Sequence, residues 1–576
     1  MAYDVVIRGG LVADGRGGEP VIADVAIEAG HIVAVGAGLG PGVTELDASG
    51  LLVTPGFVDI HTHYDGQATW DASLAPSSWH GVTTAVMGSC GVGFAPVRPP
   101  DHDLLIELME GVEDIPGAAL AEGLDWAWET FPEYLDALDA RPHDIDIAAQ
   151  LPHGALRLYV MGERAVALEP ATAEDRAEMR RLATEAMEAG AIGFSTSRTR
   201  NHKTATGAPT PSLVAEADEL LEIARGLGDA GAGVLQVISD LHPDAQAEMD
   251  MMFAMMEVSG RPLSMSLAQN HRRPEGWRRT LGAIERAAGR GLPMRAQVAP
   301  RPVGVLFGLQ GSVHPFIGHD AFQPLLSSSL EEKVAAMRTP EVRAAILGEP
   351  RNDRHRRVDL SRTFPLGDPP NYEPAEDTSI VATGARLGVD PFEVAYDMLL
   401  EDDGRALLFA PFANYADHNL DACHDMLAHP DTVMGLGDGG AHVGTISDGS
   451  FPTYLLAHWG RDRPHGRFEV GWLVQQLTST PAETVGLLDR GVIAPGMRAD
   501  LNIVDFDRLR CERPEMAFDL PAGGKRLLQR ATGYVATYVA GTQILSNDVP
   551  TGAHPGRLVR GPQPAPSSRH LQGADA

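Results

Sequence analysis

Lysine is nearly missing from this chain of 576 residues, which carries it only at Lys203, Lys333 and Lys525. Basic residues of both kinds number 46 against 78 acidic ones, so the formal net charge is −32. A surface so poor in positive charge argues against nucleic acid or an anionic membrane as the main partner. Arginine carries almost all of the positive charge, and few lysines are available for chemistry.

Cysteines and long apolar runs are also scarce. Cys90, Cys423 and Cys511 are too few and too scattered for a disulfide framework. No run of eighteen apolar residues is present to span a bilayer, and the start "MAYDVVIRGG" lacks the basic and apolar segments of a secretory signal. We therefore expect a soluble protein of the cytoplasm that has no membrane partner.

The two ends of the chain have the pattern of β-strands. Residues 3–53 contain short β-rich runs separated by glycine-containing turns, and the segments 491–505 and 531–545 alternate in the same way. This arrangement predicts a small β-sandwich domain built from both chain termini, with residues 1–53 and 486–550 as its two parts.

The middle of the chain alternates helices with strands. In the segment 172–190, Thr172 can cap a helix, Asp175 follows three residues later, and Gly190 can end it. The strand candidate "AIGFSTS" comes next, and the same order recurs over 212–240 and 279–300. Repeated units of this kind favour a parallel sheet closed as a (β/α)₈ barrel, of the TIM type, over residues 54–485.

Two segments do not follow this pattern. Residues 300–375 are rich in Phe, Gly, Pro and Ser and then in charge, which predicts an insertion over the barrel mouth or at an oligomer contact. The tail 551–576 has the composition of a surface arm or a disordered end.

Four side chains that can bind a metal follow predicted strands. In "FVDIHTHYD" (57–65), His61 and His63 share one face of an extended strand, so they can converge on one ion or be two polar residues at a strand end. Cys90 and Asp438 end two other apolar runs. Taken alone, Cys90 is more typical of a small buried residue and Asp438 of a turn. Together, at the strand ends where barrel enzymes place their chemistry, they form a suitable set of zinc ligands.

Six motifs resemble those of the amidohydrolase superfamily, and within it the N-acyl-D-amino-acid deacylases (D-aminoacylases). The resemblance covers roughly residues 1–550 and rests on "GFVDIHTH", "GSCGVGF", "PHGALR", "GAIGFSTS", "GDGGAH" and "STPAETVGLLDRGVIAPGMRADLNIVD". It implies that His61 and His63 bind a metal and that Asp438 touches the metal and shuttles a proton. Cys90 matches the cysteine that the deacylases have where many relatives use a carbamylated lysine.

The chain departs from the family at the second metal site. The family has histidines at the ends of the fifth and sixth strands, where this sequence has Ile238 or Ser239 and Ala268 or Gln269. Two further histidines, His242 and His271, lie a few residues beyond these positions. We therefore expect a single zinc ion on His61, His63, Asp438 and Cys90.

The resemblance implies a hydrolase of linear amide bonds that acts on a small-molecule N-acyl substrate. Metal-activated water would attack the carbonyl, with Asp438 as general base and then general acid. Candidate substrate-binding residues are His153, His442, Arg198 and Arg200; an arginine can bind a carboxylate through two hydrogen bonds. The deacylases usually have an apolar or tyrosine-containing stretch where this chain has "RTRNHK", which indicates a different substrate. We also expect a homo-oligomer.

Two alternatives stay open. A cyclic amidase of the hydantoinase or dihydropyrimidinase kind is compatible with "GDGGAH", although no suitable bridging lysine is present. A non-catalytic scaffold that retained the barrel would account for the missing histidines. Hydrolysis of hydantoins would favour the cyclic amidase. Purified protein without bound metal would favour the scaffold.

Overall fold

The computed structural model describes residues 2–241, 244–350 and 358–566. The strands within these ranges, in chain order, are β1 (Tyr3–Val12), β2 (Val21–Glu28), β3 (His31–Gly36), β4 (Gly42–Asp47), β5 (Leu52–Pro55), β6 (Phe57–Asp59), β7 (Val82–Met87), β8 (Asp146–Pro152), β9 (Gly193–Arg198), β10 (Val234–Ser239), β11 (Leu263–Leu267), β12 (Met294–Val298), β13 (Val303–Phe307), β14 (Phe364–Pro365), β15 (Leu408–Ala413), β16 (Thr432–Met434), β17 (Leu501–Val504), β18 (Arg510–Cys511), β19 (Glu515–Leu520), β20 (Gly524–Leu528), β21 (Ala531–Thr532), β22 (Tyr534–Val539), β23 (Thr542–Ser546) and β24 (Val549–Pro550).

The α-helices of the same ranges are α1 (His102–Glu113), α2 (Gly117–Gly123), α3 (Phe131–Asp139), α4 (His153–Met161), α5 (Glu163–Val166), α6 (Ala173–Ala189), α7 (Ala217–Ala230), α8 (Ala245–Ser259), α9 (Gly276–Gly289), α10 (Leu330–Met337), α11 (Pro340–Gly348), α12 (Ile380–Leu387), α13 (Pro391–Leu399), α14 (Asp421–Leu427), α15 (Phe451–Tyr454), α16 (Val470–Leu477) and α17 (Ser479–Thr484). None of the helices in these ranges is long and apolar enough to cross a membrane.

Eight parallel strands form the barrel, in the order β16-β12-β11-β10-β9-β8-β7-β6. Strands β7 and β8 are buried at every position, as expected for strands covered on both faces. Past the ends of the two outer strands, the His63 amide donates to the Gly439 carbonyl at 2.7 Å and the Asp438 amide donates to the His61 carbonyl at 3.0 Å. These bonds close the barrel at the point where the candidate metal ligands lie.

Helix α6 has the boundaries that its sequence predicts. The Thr172 side chain accepts from the Asp175 amide, the Asp175 side chain accepts from the Thr172 amide, and Gly190 ends the helix in the left-handed region. This reciprocal pair satisfies two amides that would otherwise lack partners.

The strands from the two chain ends join in one sheet of order β24-β23-β22-β17-β5-β1-β2-β3, in which β4 also pairs with β1. Strand β17 pairs with β5, so a C-terminal strand lies directly beside an N-terminal one. The fold class predicted from the sequence, a TIM-like barrel with a small β-domain built from both termini, is confirmed.

The insertion extends further than the sequence indicates. The three-stranded sheet β13-β15-β14 and helices α10–α13 enclose an apolar core of their own, so the segment continues to Ala413 rather than ending near residue 375. The Leu306 amide donates to the Thr445 carbonyl at 2.7 Å and the Ser312 amide donates to the Gly444 carbonyl at 3.1 Å. The insertion therefore lies against the loop that follows β16, at the mouth of the barrel.

The described part of the tail packs against the barrel instead of forming a loose arm. The Ile147 amide donates to the Arg557 carbonyl at 3.0 Å, and the Val559 amide donates to the Ile147 carbonyl at 2.7 Å. Leu558 and Val559 are buried. The described part of the tail is thus attached to the barrel at these two residues, and residues 567–576 lie outside the described residues.

Candidate active site

Four of the side chains singled out in the sequence meet at the barrel mouth. Single ligand atoms of His61, His63 and Cys90 all lie within 4.8 Å of one another. His61 Nε2 is 3.2 Å from Cys90 Sγ and 3.2 Å from Asp438 Oδ1, and His63 Nε2 is 3.6 Å from the same oxygen. Two imidazoles, a thiol and a carboxylate therefore surround one small volume.

The backbone is unusual where three of the site residues project. Cys90, Asp438 and His442 have φ values of 57°, 45° and 49°, in the left-handed region that residues other than glycine seldom adopt. Such strain is typical of functional sites, where the surrounding structure holds the chain in place. These residues follow β7 and β16, and their side chains lie beside His61 and Glu113.

His61 is held by a neutral side chain. Its Nδ1 lies 2.7 Å from Gln297 Oε1 on β12, and Gln297 Nε2 donates to Ser264 Oγ at 2.9 Å. An amide oxygen only accepts, so Nδ1 carries the proton and the lone pair of Nε2 faces Cys90 and Asp438. Burial lowers the pKa of His61 to about 4, which favours the neutral ring that a metal requires.

The donor set fits a zinc-class ion. Both ring nitrogens of His63 and both carboxylate oxygens of Glu113 are buried without a hydrogen-bond partner, which is rare in folded proteins. Burial raises the pKa of the Cys90 thiol to about 12, so its thiolate needs a cation close by. Burial opposes the ionisation of Asp438, but the imidazoles of His61 and His63 hold its pKa well below the usual range.

Solvent reaches the site from one side. The Asp438 side chain is 16% exposed and that of His442 is 26% exposed, whereas those of His61 and His63 are at most 1% exposed. A cavity of about 20 Å³ lies beside Asp438, with Gln67, Asp448 and Arg526 among its lining residues. Solvent therefore reaches the four side chains across the Asp438 face.

The strand ends that lack the family's histidines have other roles. At the end of β10, Ser239 Oγ donates to Glu248 at 3.0 Å, and Glu248 also pairs with Arg198. After β11, Gln269 Nε2 donates to Asp417 at 2.8 Å, and its Oε1 accepts from the Ala416 amide at 2.9 Å. These residues therefore contact the neighbouring helix and the insertion.

Of the two histidines beyond those strand ends, His271 belongs to the described part of the chain. Burial and the nearby Arg362 guanidinium lower the pKa of His271 to about 4, and the charged groups around it are Arg362, Asp359, Asp417 and His418. His271 is therefore surrounded by the residues that hold the insertion. His242 lies outside the described residues.

Three of the four predicted substrate-binding residues are engaged elsewhere or face solvent. His153 is buried between Thr196 Oγ1 and Glu219 Oε1, both at 2.8 Å, which leaves neither ring nitrogen for a substrate. Arg198 is paired with Glu248 at 2.6 Å, and Arg200 is exposed. His442 lies at the mouth, with Nε2 3.7 Å from Glu113 Oε2.

Two side chains of the site were missed in the sequence. Glu113, the last residue of α1, lies 3.2 Å from His63 Nδ1. His202, in the loop after β9, has its Nδ1 2.9 Å from Ser197 Oγ, and its pKa is lowered to about 3 by burial and then by the charges of His442 and His63. Nothing in the local sequence marks either residue, although "RTRNHK" already distinguishes this loop from the deacylases.

Comparisons with known proteins agree with this geometry. The model of a family described as the amidohydrolase family matches residues 44–545. A D-aminoacylase and an N-acyl-D-glutamate deacylase, both from Alcaligenes xylosoxydans xylosoxydans, are each 28% identical and cover 97% of this chain; the chain covers 97% and 96% of them, respectively.

Solved structures of such enzymes share the fold. One of them is a D-aminoacylase, described as having a binuclear metal centre with one-metal activation and second-metal attenuation. It is 25% identical, with a TM-score of 0.65 over 97% of this chain and 100% of its own. An N-acyl-D-glutamate deacylase from Bordetella bronchiseptica, complexed with zinc and a phosphonate inhibitor, is 24% identical with the same score and coverage.

Proposed function

Because this chain belongs to the amidohydrolase family, and is thus a hydrolase of C–N bonds other than peptide bonds, we propose that it deacylates N-acyl-amino acids or related N-acyl amines. The observation that carries this proposal is the convergence of His61, His63, Cys90 and Asp438 at the barrel closure. The full-length likeness to D-aminoacylase and N-acyl-D-glutamate deacylase supports the choice of a linear N-acyl bond.

The four converging side chains would hold one zinc ion. Such an ion supplies Lewis acidity, which makes water nucleophilic near neutral pH and polarises a carbonyl group. The engagement of the β10 and β11 ends in other networks supports a single ion rather than two.

Asp438 is placed to move the proton. It is the most exposed of the four side chains, and the neighbouring imidazoles keep it ionised, so it can accept a proton from the attacking water. The same carboxyl group would then donate that proton to the leaving nitrogen. Gln297 would keep the Nε2 lone pair of His61 directed at the site throughout.

The two alternatives have less support. Cyclic amidases of this fold would need a bridging lysine, but Lys203 is exposed, Lys333 lies on α10, and Lys525 Nζ donates to the Gln310 carbonyl at 2.9 Å. A non-catalytic scaffold has no need for the buried thiol and carboxylate that converge on two imidazoles.

An activity screen tests the proposal. Zinc-loaded protein would be assayed for amine release from N-acetyl-D-amino acids and N-acetyl-L-amino acids and, separately, for ring opening of hydantoins to N-carbamoyl amino acids, beside His61→Ala and Asp438→Asn variants. The exposed His31 provides a control, His31→Ala. We expect release from N-acyl compounds by the wild type and the control only; turnover retained by both site variants would refute the mechanism, and turnover of hydantoins alone would refute the substrate class.

A further inference from the structure

We propose that Glu113 is a positioning residue that holds the metal ligand His63 and the mouth residue His442 in a fixed relation. This inference rests on the proposed function. Glu113 Oε1 lies 3.2 Å from His63 Nδ1, and Oε2 lies 3.7 Å from His442 Nε2, so one carboxylate faces two imidazoles. Because His63 Nε2 faces Asp438, Nδ1 is the nitrogen left for an orienting partner.

The location of Glu113 is costly for a carboxylate. The side chain is 1% exposed, and neither oxygen has a hydrogen-bond partner. It also belongs to the last turn of α1, where the helix dipole disfavours negative charge. A buried charge without compensation strongly destabilises a fold. The two imidazoles provide the compensation at this site.

The end of α1 is fixed to the two loops that form the mouth. The Val443 amide, next to His442, donates to the Glu113 carbonyl at 3.3 Å. On the other side, the Ala205 amide donates to the Glu107 carbonyl at 3.0 Å, which ties the loop that carries His202 to the same helix. Glu113 is therefore presented from a rigid junction and not from a free helix end.

The two metal-binding imidazoles thus have different partners. The Nδ1 atom of His61 meets the neutral amide of Gln297, whereas that of His63 meets a carboxylate. A carboxylate partner raises the basicity of a ligating histidine and fixes its ring, and its loss typically weakens metal binding by about 10–100-fold. The structure therefore assigns to Glu113 a part in metal affinity that acts through His63.

A cobalt titration tests this assignment without any substrate. Purified apoprotein would be titrated with Co²⁺ while its visible ligand-field absorption is followed, for the wild type, Glu113→Ala, Glu113→Gln and the control Glu110→Gln. Glu110 is exposed one turn earlier and accepts from the Gly117 amide at 3.0 Å. Near-UV circular dichroism would confirm that each variant is folded.

We expect Co²⁺ affinity to fall about 10–100-fold in Glu113→Ala, less in Glu113→Gln, whose amide oxygen can still face His63 Nδ1, and not at all in Glu110→Gln. Equal affinity in wild type and folded Glu113→Ala would overturn the role of Glu113 while leaving the proposed function intact. If the wild type itself takes up no cobalt, the proposed function fails and this inference with it.

A double-mutant cycle of KM values tests the contact between Glu113 and His442. His442→Gln should raise KM without changing Co²⁺ affinity, and Glu113→Ala should add no further rise in KM to the His442→Gln protein. Independent, additive effects of the two changes on KM would show that the carboxylate does not act through His442.

Discussion

Replacing Asp146 with asparagine should lower the free energy of unfolding by about 3–5 kcal/mol, because it removes the shared partner of two buried arginines. Asp146 begins β8 and is fully buried. It accepts from Arg490 Nη1 at 2.7 Å, from Arg498 Nη2 at 2.8 Å and from the Arg557 amide at 3.0 Å. This one carboxylate therefore joins the barrel to the C-terminal strands and to the tail.

The magnitude follows from what remains after the change. The side chains of Arg490 and Arg498 are 1% and 8% exposed, so water cannot replace the lost oxygen. Asp500 remains 3.2 Å from Arg498 Nε and Asp489 remains 2.9 Å from Arg490 Nε, so each guanidinium keeps one carboxylate but loses the partner of an Nη atom. The amide of asparagine would also direct a donor at groups that are themselves donors.

Urea unfolding followed by fluorescence would measure the loss. The matched control is Glu45→Gln, which breaks the exposed ion pair between Glu45 and Arg8 and should change stability very little. If Asp146→Asn shifts the unfolding midpoint no more than this control does, the buried cluster does not hold the two domains together.

Three further changes have expected outcomes. Cys90→Ser should weaken zinc binding and abolish the thiolate-to-metal charge-transfer absorption of the Co²⁺ form; an unchanged spectrum would exclude Cys90 as a ligand. His153→Gln should lower thermal stability and leave KM unchanged, since its ring nitrogens are bound to protein groups; a KM increase without a stability loss would return it to the substrate site. His80 is buried with its pKa lowered to about 4, so only the unfolded chain takes up its proton as pH falls from 6.5 towards 4, and stability should drop by roughly 3 kcal/mol in that window. Stability measured against pH in His80→Gln should lack that part of the decline, and identical pH profiles would contradict the reasoning.

The parts of the fold that local chemistry determines are predictable from the sequence. Thr172, Asp175 and Gly190 set both ends of α6, and the β pattern at the two chain ends identifies one small domain. The extent of the insertion is not predictable in this way, because its later helices resemble those of the barrel. The structure distinguishes these helices from those of the barrel because they pack around a separate apolar core that includes Phe316 and Tyr396.

The residues of the candidate site likewise differ in whether local sequence or distant packing determines their positions. Residues that follow predicted strands, such as His61 and Asp438, meet because the ends of parallel strands lie at one edge. Glu113 reaches the site from a helix whose sequence resembles an ordinary surface helix, and its burial depends on a loop far along the chain. His153 and Arg198 were predicted to bind substrate from residue type and position alone, and partners on other helices engage both of them instead.

The most direct test of the account is the anomalous scattering of a zinc-loaded crystal at the zinc edge. We predict one peak per chain, about 2.0–2.3 Å from His61 Nε2, His63 Nε2 and Cys90 Sγ, with Asp438 Oδ1 as the fourth ligand. A peak elsewhere, or no peak among these four side chains, would contradict the proposal that they form a metal centre.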